Sequence, residues 1–260
     1  MRSLALPYQT VDHVVAAFGE LEGHFRRAGD RRCIFLTLYG VVSTAIRERI
    51  ARRAFRDTAW VERYAVAFAN LYRVALQDYE AAQLARVPKA WRICFDAAKA
   101  GDGLVLQDVL LGVNAHVNND LPLALTSISI DPDRAGRYRD HSAVNEVLAS
   151  VTDRATERLA ALYAPGLRRL DEAAGQVDEL LSAFSLDVAR ESAWEGAVAL
   201  TGAPGGEARA ITSRLISARA AVVARLLRAP SHSPAFVRAS RLLEQQPDWR
   251  TILERCVAGS

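Results

Sequence analysis

The sequence predicts an all-α fold: one compact multi-helix domain of about nine or ten helices around a central helix that carries a polar motif. Three observations predict it. Apolar residues recur at spacings of three and four along most of the 260 residues. Capping residues and helix breakers punctuate that pattern at intervals of one helix length. The best strand candidate, Ile128 to Ile130, is too short to count. No long linker or fixed-period repeat divides the chain, so residues 1–260 are read as one domain.

Val11, Val14, Val15, Phe18, Leu21 and Phe25 give the first helix, ending near Gly29. Asp30 is placed to cap a second, from about Arg31 to Ala51, whose Ile34, Phe35, Leu38, Val41, Val42 and Ile46 mark it as buried. Asp57 can cap a third, with Trp60, Tyr64, Phe68, Leu71, Tyr72 and Leu76 on one broad face. Pro88 suits a first helical turn ahead of Trp91 and Phe95. Gly101 and Gly103 then break the chain, and a fifth helix runs from about Leu104 to Leu121. Thr126 to Arg139, with turn residues Asp131, Pro132, Asp133 and Gly136, reads as a loop that covers or borders a site. Helices resume over about Ser142–Tyr163, Pro165–Leu181, Leu186–Leu200, Glu207–Leu227 and Ala235–Val257. The last of these pack on a core of about residues 30–200.

Composition excludes several classes of function. Half of the residues are hydrophobic and 24% are charged, as in ordinary globular proteins. No run approaches the roughly 20 apolar residues of a membrane span, so no membrane partner is expected. A net charge of +3 is too weak to argue for nucleic acid. Cys33, Cys94 and Cys256 are scattered, which supports neither a zinc knuckle nor a disulfide framework. The first ten residues lack the pattern of a secretory leader, so a cytoplasmic protein is expected. Nucleotide and flavin cofactor motifs are missing, as are the signatures of zincins and α/β-hydrolases.

One segment stands out, from Asp108 to Pro122. At 100° per residue, Leu106, Val109, Leu110, Val113, Val117 and Leu121 form an apolar stripe. Asp108, Gly112, Ala115, His116 and Asn119 share a second face with Asp120 at its edge, and Gln107, Asn114 and Asn118 a third. His116 and Asp120 are four apart and can meet at one point beside the helix. Such an imidazole and carboxylate suit a divalent cation, so one metal ion is a candidate cofactor. Equally, these side chains can form a buried network that satisfies neighbouring helix ends.

The run Leu111-Gly-Val-Asn114-Ala-His116-Val-Asn118-Asn119-Asp120-Leu-Pro122 resembles the NAHIN-x-DLP signature of the DUF5995 family, found mostly in actinobacteria. Phe35 to Tyr39, Trp60-Val-Glu62, Phe68 to Tyr72 and Ala90-Trp91-Arg92 resemble further segments of that family. So do Asp140 with Asn145, and Arg190 with Ala193-Trp194. The resemblance spans about residues 30–200. It implies an all-α fold and singles out these positions, but names no reaction.

Two functional readings follow. In the first, the chain is an enzyme for a small molecule, a hydrolase, lyase or cyclase of secondary metabolism. His116, Asp120 and Asn119 are then catalytic, with His116 and Asp120 also candidate metal ligands beside Asp140. Asn114, Asn118, Asn145, Arg190, Tyr39, Tyr72 and Trp194 bind substrate, Arg190 as a clamp for an anionic group or else as an ion-pair partner of Asp120 or Asp140. In the second, the chain is a non-catalytic binding or scaffold protein and the motif holds helices together. A cavity that reaches His116 and Asp120 favours the first; a sealed, fully bonded pair favours the second. His13 is a further candidate beside His116, while His141 and His232 read as exposed. The arginines at 47, 49, 52, 53 and 56 read as a solvated face. Ala208 to Ala224 suits a homodimer contact as well as an internal one.

Overall fold

The computed structural model describes residues 2–166, 185–229 and 233–245. Within them the protein is helical, with no strand. In chain order the helices are α1 (Arg2–Ala5), α2 (Val11–Arg27), α3 (Arg32–Ala51), α4 (Thr58–Glu80), α5 (Lys89–Ala100) and α6 (Val105–Asn114). A π-helical turn, Ala115–Asp120, continues α6 into α7 (Leu121–Ser127). Then come α8 (Arg134–Leu162), α9 (Leu186–Gly202), α10 (Gly205–Arg228) and α11 (Pro234–Gln245). The expected helix over Pro165–Leu181, His232, Cys256 and the end of the expected last helix fall outside the described residues.

The helix starts follow their caps. Thr10 accepts from the His13 amide at 3.1 Å, and Asp57 from the Trp60 amide at 2.8 Å. Asp30 accepts from the Arg32 amide at 2.9 Å, one residue before the cap position itself. Gly101 closes α5 at φ 65°, a left-handed conformation that glycine adopts freely.

Two boundaries differ from the sequence reading. The central helix does not end at Pro122. It widens into the π turn, where the Leu121 amide bonds the His116 carbonyl five residues back, and continues to Ser127. The proline ring would crowd the carbonyl four residues earlier in a regular α-helix, and the wider turn separates them. The second difference is the expected loop Thr126–Arg139, which shrinks to residues 128–133. Asp133 caps α8 through the Gly136 amide, eight residues ahead of the expected start.

The continuous helix α6–π–α7 is the hub. It touches α3, α4, α5, α9 and α10, while α2 packs on α3 and α8 runs against α3. On α10 the inward residues are small: Ala220, Ala221 and Ala224 are buried, with Leu227 beyond them. Small side chains bring the α10 backbone within reach of the polar residues on the hub. Cys33 and Cys94 are buried free thiols, as expected. Of the arginine cluster, Arg47, Arg49 and Arg56 pair with Asp12, Glu146 and Asp133. None of the helices among the described residues is long and apolar enough to cross a membrane.

Candidate functional site

The π turn divides the motif between two environments. One set of side chains faces α10. Gln107 Nε2 donates to the Leu227 carbonyl at 3.0 Å, an acceptor in the last turn of α10 with no helical partner of its own. Asn114 Nδ2 donates to the Ala220 carbonyl at 2.9 Å, and Asn114 Oδ1 accepts from Asn118 at 2.9 Å. Asn119 Oδ1 accepts from Ser217 at 2.8 Å. Arg219 reaches Asn118 Oδ1 at 3.3 Å. The expected substrate-binding amides Asn114 and Asn118 therefore join two helices.

The other set is His116 and Asp120, both buried. His116 Nδ1 lies 3.0 Å from Asp120 Oδ2. Trp91 Nε1 donates to the same oxygen at 2.7 Å, and Asn119 Nδ2 to Oδ1 at 2.7 Å. An indole N–H and an amide NH2 can only donate, so both carboxylate oxygens act as acceptors. That assigns the hydrogen to Nδ1 of His116 and leaves the lone pair on Nε2, a buried atom with no partner among the described residues. Burial holds the His116 pKa below its ordinary value, with the bond to Asp120 opposing, so the ring is neutral near pH 7.

Aromatic rings fix that imidazole. Phe68 stacks on it at 3.4 Å and 8°. Tyr39 meets it edge-on at 4.6 Å, while Phe35 and Trp91 lie at 5.9 and 5.8 Å. Tyr72 is packed behind them, against Trp91 and Phe18. Gly112 is required here: a Cβ would stand 2.3 Å from Phe35 Cδ2.

His116 forms part of the wall of a cavity of about 380 Å³ between α2, α3, α4, α8, α9 and the hub. Leu106, Val109, Val113 and Val117, most of the stripe expected in the core, line it instead, and the first three are only half-buried. Tyr39, Phe68, Tyr64 and Arg190 also line it; Asp120, Tyr72 and Trp194 do not. Along α4, Tyr64 and Phe68 are one turn apart, roughly 6 Å.

At the Tyr64 end, Arg190 donates Nε to Asn145 Oδ1 and Nη2 to the His141 carbonyl at 2.7 Å. Its Nη1 reaches the Tyr64 hydroxyl at 3.4 Å. Asn145 thus serves Arg190 rather than facing His116. Trp194 packs on His141 and Tyr138. His141, expected to be exposed, is buried two turns inside α8, because the helix starts earlier than expected. Burial and the adjacent Arg190 push its pKa down to about 3.

Asp140 stands apart from His116. Its Oδ1 accepts from the Arg56 amide at 2.8 Å and its Oδ2 from the Asp57 amide at 2.9 Å, at the entrance to α4. Hence it neither caps its own helix nor pairs with Arg190. The expected metal set His116, Asp120 and Asp140 does not assemble, and among the described residues no three His, Cys, Asp or Glu side chains are grouped to hold an ion. The N–H donors around Asp120 suit a carboxylate, not a cation. His13 is exposed and packs against Tyr8. Sequence reasoning missed Phe68, Trp91, Tyr64 and His141 as parts of the site; Phe68 and Trp91 lay in segments already singled out, but no spacing rule joins them to His116.

No curated protein and no solved structure matches this chain. A family described as a family of unknown function, DUF5995, matches residues 11–230, beyond the expected core at both ends. The chain belongs to the DUF5995 family.

Proposed function

We propose that the protein is an enzyme acting on a small, largely apolar molecule held in the cavity, with His116 as general base. The observation that carries this is the asymmetry of the imidazole: Nδ1 is held by Asp120, while Nε2 has no partner among the described residues. Buried polar atoms are nearly always bonded, so an orphan nitrogen beside a cavity calls for a reason. Proton abstraction supplies one. Asp120 orients the ring and stabilises its protonated form, and Asn119 and Trp91 hold Asp120. Asn119 is then a positioning residue. The reaction classes that need only this dyad are isomerisation, elimination and attack by an activated water. Buried free thiols suit a reducing compartment, and we place the activity in the cytoplasm.

A binding protein without catalysis is the second reading. What favours it is that the amides of Gln107, Asn114 and Asn118 join the hub to α10 and do not line the cavity.

The test is turnover of a small-molecule cell extract, followed by mass spectrometry, with the wild type beside His116→Gln. A substrate–product pair that changes with the wild type and not with a folded His116→Gln supports the enzyme. Compounds retained by both proteins and converted by neither support the binding protein.

A further inference from the structure

Arg190 is 3% exposed, and among the described residues every group it hydrogen-bonds is neutral: Asn145, the Tyr64 hydroxyl and the carbonyl and ring of His141. No carboxylate among the described residues pairs with it. The two expected partners are engaged elsewhere, Asp140 by the backbone of Arg56 and Asp57, Asp120 by His116, Trp91 and Asn119. A buried charge without a counter-charge is strongly disfavoured, and guanidinium, unlike imidazole, does not escape by losing its proton. Arg190 and Tyr64 also line the cavity, whose other walls are mostly apolar, with valine or leucine from α2, α3, α4, α6, α8 and α9. Among the described residues Nη1 has only the long contact to Tyr64, which leaves donor capacity there.

We infer that the cavity takes an amphipathic monoanion, a carboxylate whose head lies on Arg190 and Tyr64 and whose apolar chain or ring lies along the Val and Leu walls. One guanidinium balances one negative charge; a phosphate dianion would leave a buried excess. The planar fork of Arg190 matches a carboxylate in shape as well as charge. The volume falls in the lower part of the small-ligand range of roughly 300–1,000 Å³. The Tyr64 ring lies 6.2 Å from Phe68, which stacks on His116, so the head on Tyr64 and Arg190 is separated from His116 by about one side chain and the reacting atom lies several bonds from the carboxylate. Only this last step rests on the proposed role of His116.

The experiment is calorimetric titration of the full chain with hexanoate, decanoate and tetradecanoate, and with decanol, decylamine and decyl phosphate. The expected result is that one of the carboxylates binds the wild type roughly tenfold or more tighter than decanol, a factor typical of one charge-assisted contact. Decylamine binds no better than decanol. Arg190→Gln erases the preference for carboxylate over decanol, Tyr64→Phe weakens it, and His116→Gln retains it. Decanol binding as tightly as decanoate overturns the inference, and so does decyl phosphate binding tighter, or no member of the series binding. Should Arg190→Gln fail to fold, the head-group series on the wild type decides alone. Carboxylate preference without turnover sinks only the catalytic reading; turnover lost in His116→Gln without carboxylate preference sinks only this one.

Discussion

Asp120 receives three hydrogen bonds inside a shell of aromatic rings: His116 and Asn119 donate from the hub itself, and the third donor, the Trp91 indole, reaches across from α5. Trp91→Phe keeps most of the ring and removes that donor. A bond to a charged acceptor is worth about 1.5–3 kcal/mol, so urea unfolding of this variant should show a loss of about 2–3 kcal/mol. The histidines predict a pH dependence. His116 and His141 both have folded pKa values below the ordinary 6.5, His141 at about 3. Their stabilising effect is fully present above pH ~6.5 and is lost as pH falls toward the folded values, because the unfolded chain takes up protons that the native state refuses. Asp108 acts in the opposite sense. Burial, opposed by Arg31, raises its pKa to about 6, which favours the fold as pH falls from 6 to 4. Glu244, whose pKa burial also raises, acts in the same sense as Asp108. Both histidines resist protonation from pH ~6.5 downward, above the range of these carboxyls, so the net effect should be a loss, seen as a urea midpoint that drops between pH 7 and pH 5. A midpoint that rises over that range would show that the buried carboxyls outweigh them. Neither histidine environment was legible in the sequence, since it depends on which distant rings and charges surround each imidazole.

Among the elements, the hub and α10 are joined by amides rather than by apolar side chains alone. Asn114 is the centre of that joint, bonded to Ala220 on one side and Asn118 on the other. Asn114→Ala should cost about 2–3 kcal/mol, because Asn118 and a buried carbonyl lose a partner together. Hydrogen exchange should speed up first in α10, while amides of α2 and α3 stay protected. Uniform loosening of the whole chain would show that the joint is not local. Helix existence and type were readable, since apolar periodicity and the caps Thr10 and Asp57 act within one turn of their own positions. The π turn was not. A wheel drawn at 100° per residue puts His116 and Asn119 on one face, and the wider turn separates them, sending Asn119 to Ser217 and His116 to Phe68. The start of α8 was misplaced for a related reason: Asp133 and Asp140 are both plausible caps by residue type, and only the tertiary fold shows that Asp140 serves α4.

The whole molecule is organised around its cavity. Leu106, Val109 and Val113 satisfy every sequence criterion for a core stripe, and a one-dimensional pattern cannot distinguish a wall from a packed interface. Val113→Phe should fill part of that space, change stability by no more than about 1 kcal/mol, and abolish binding of the carboxylate that the wild type prefers. Titration and urea unfolding of the same preparation would check both halves. Asp140 has a consequence in time rather than in space. It holds the entrance of α4 from 84 and 83 residues away in the chain. Bonds of such long separation form only once the intervening loop has closed. If α4 and its own cap Asp57 assemble early, Asp140→Ala should leave the refolding rate nearly unchanged and accelerate unfolding, so that most of the change in a stopped-flow chevron falls on its unfolding arm. The residue that resembled a metal ligand would then be a late latch, setting how long the folded protein lasts rather than how fast it forms.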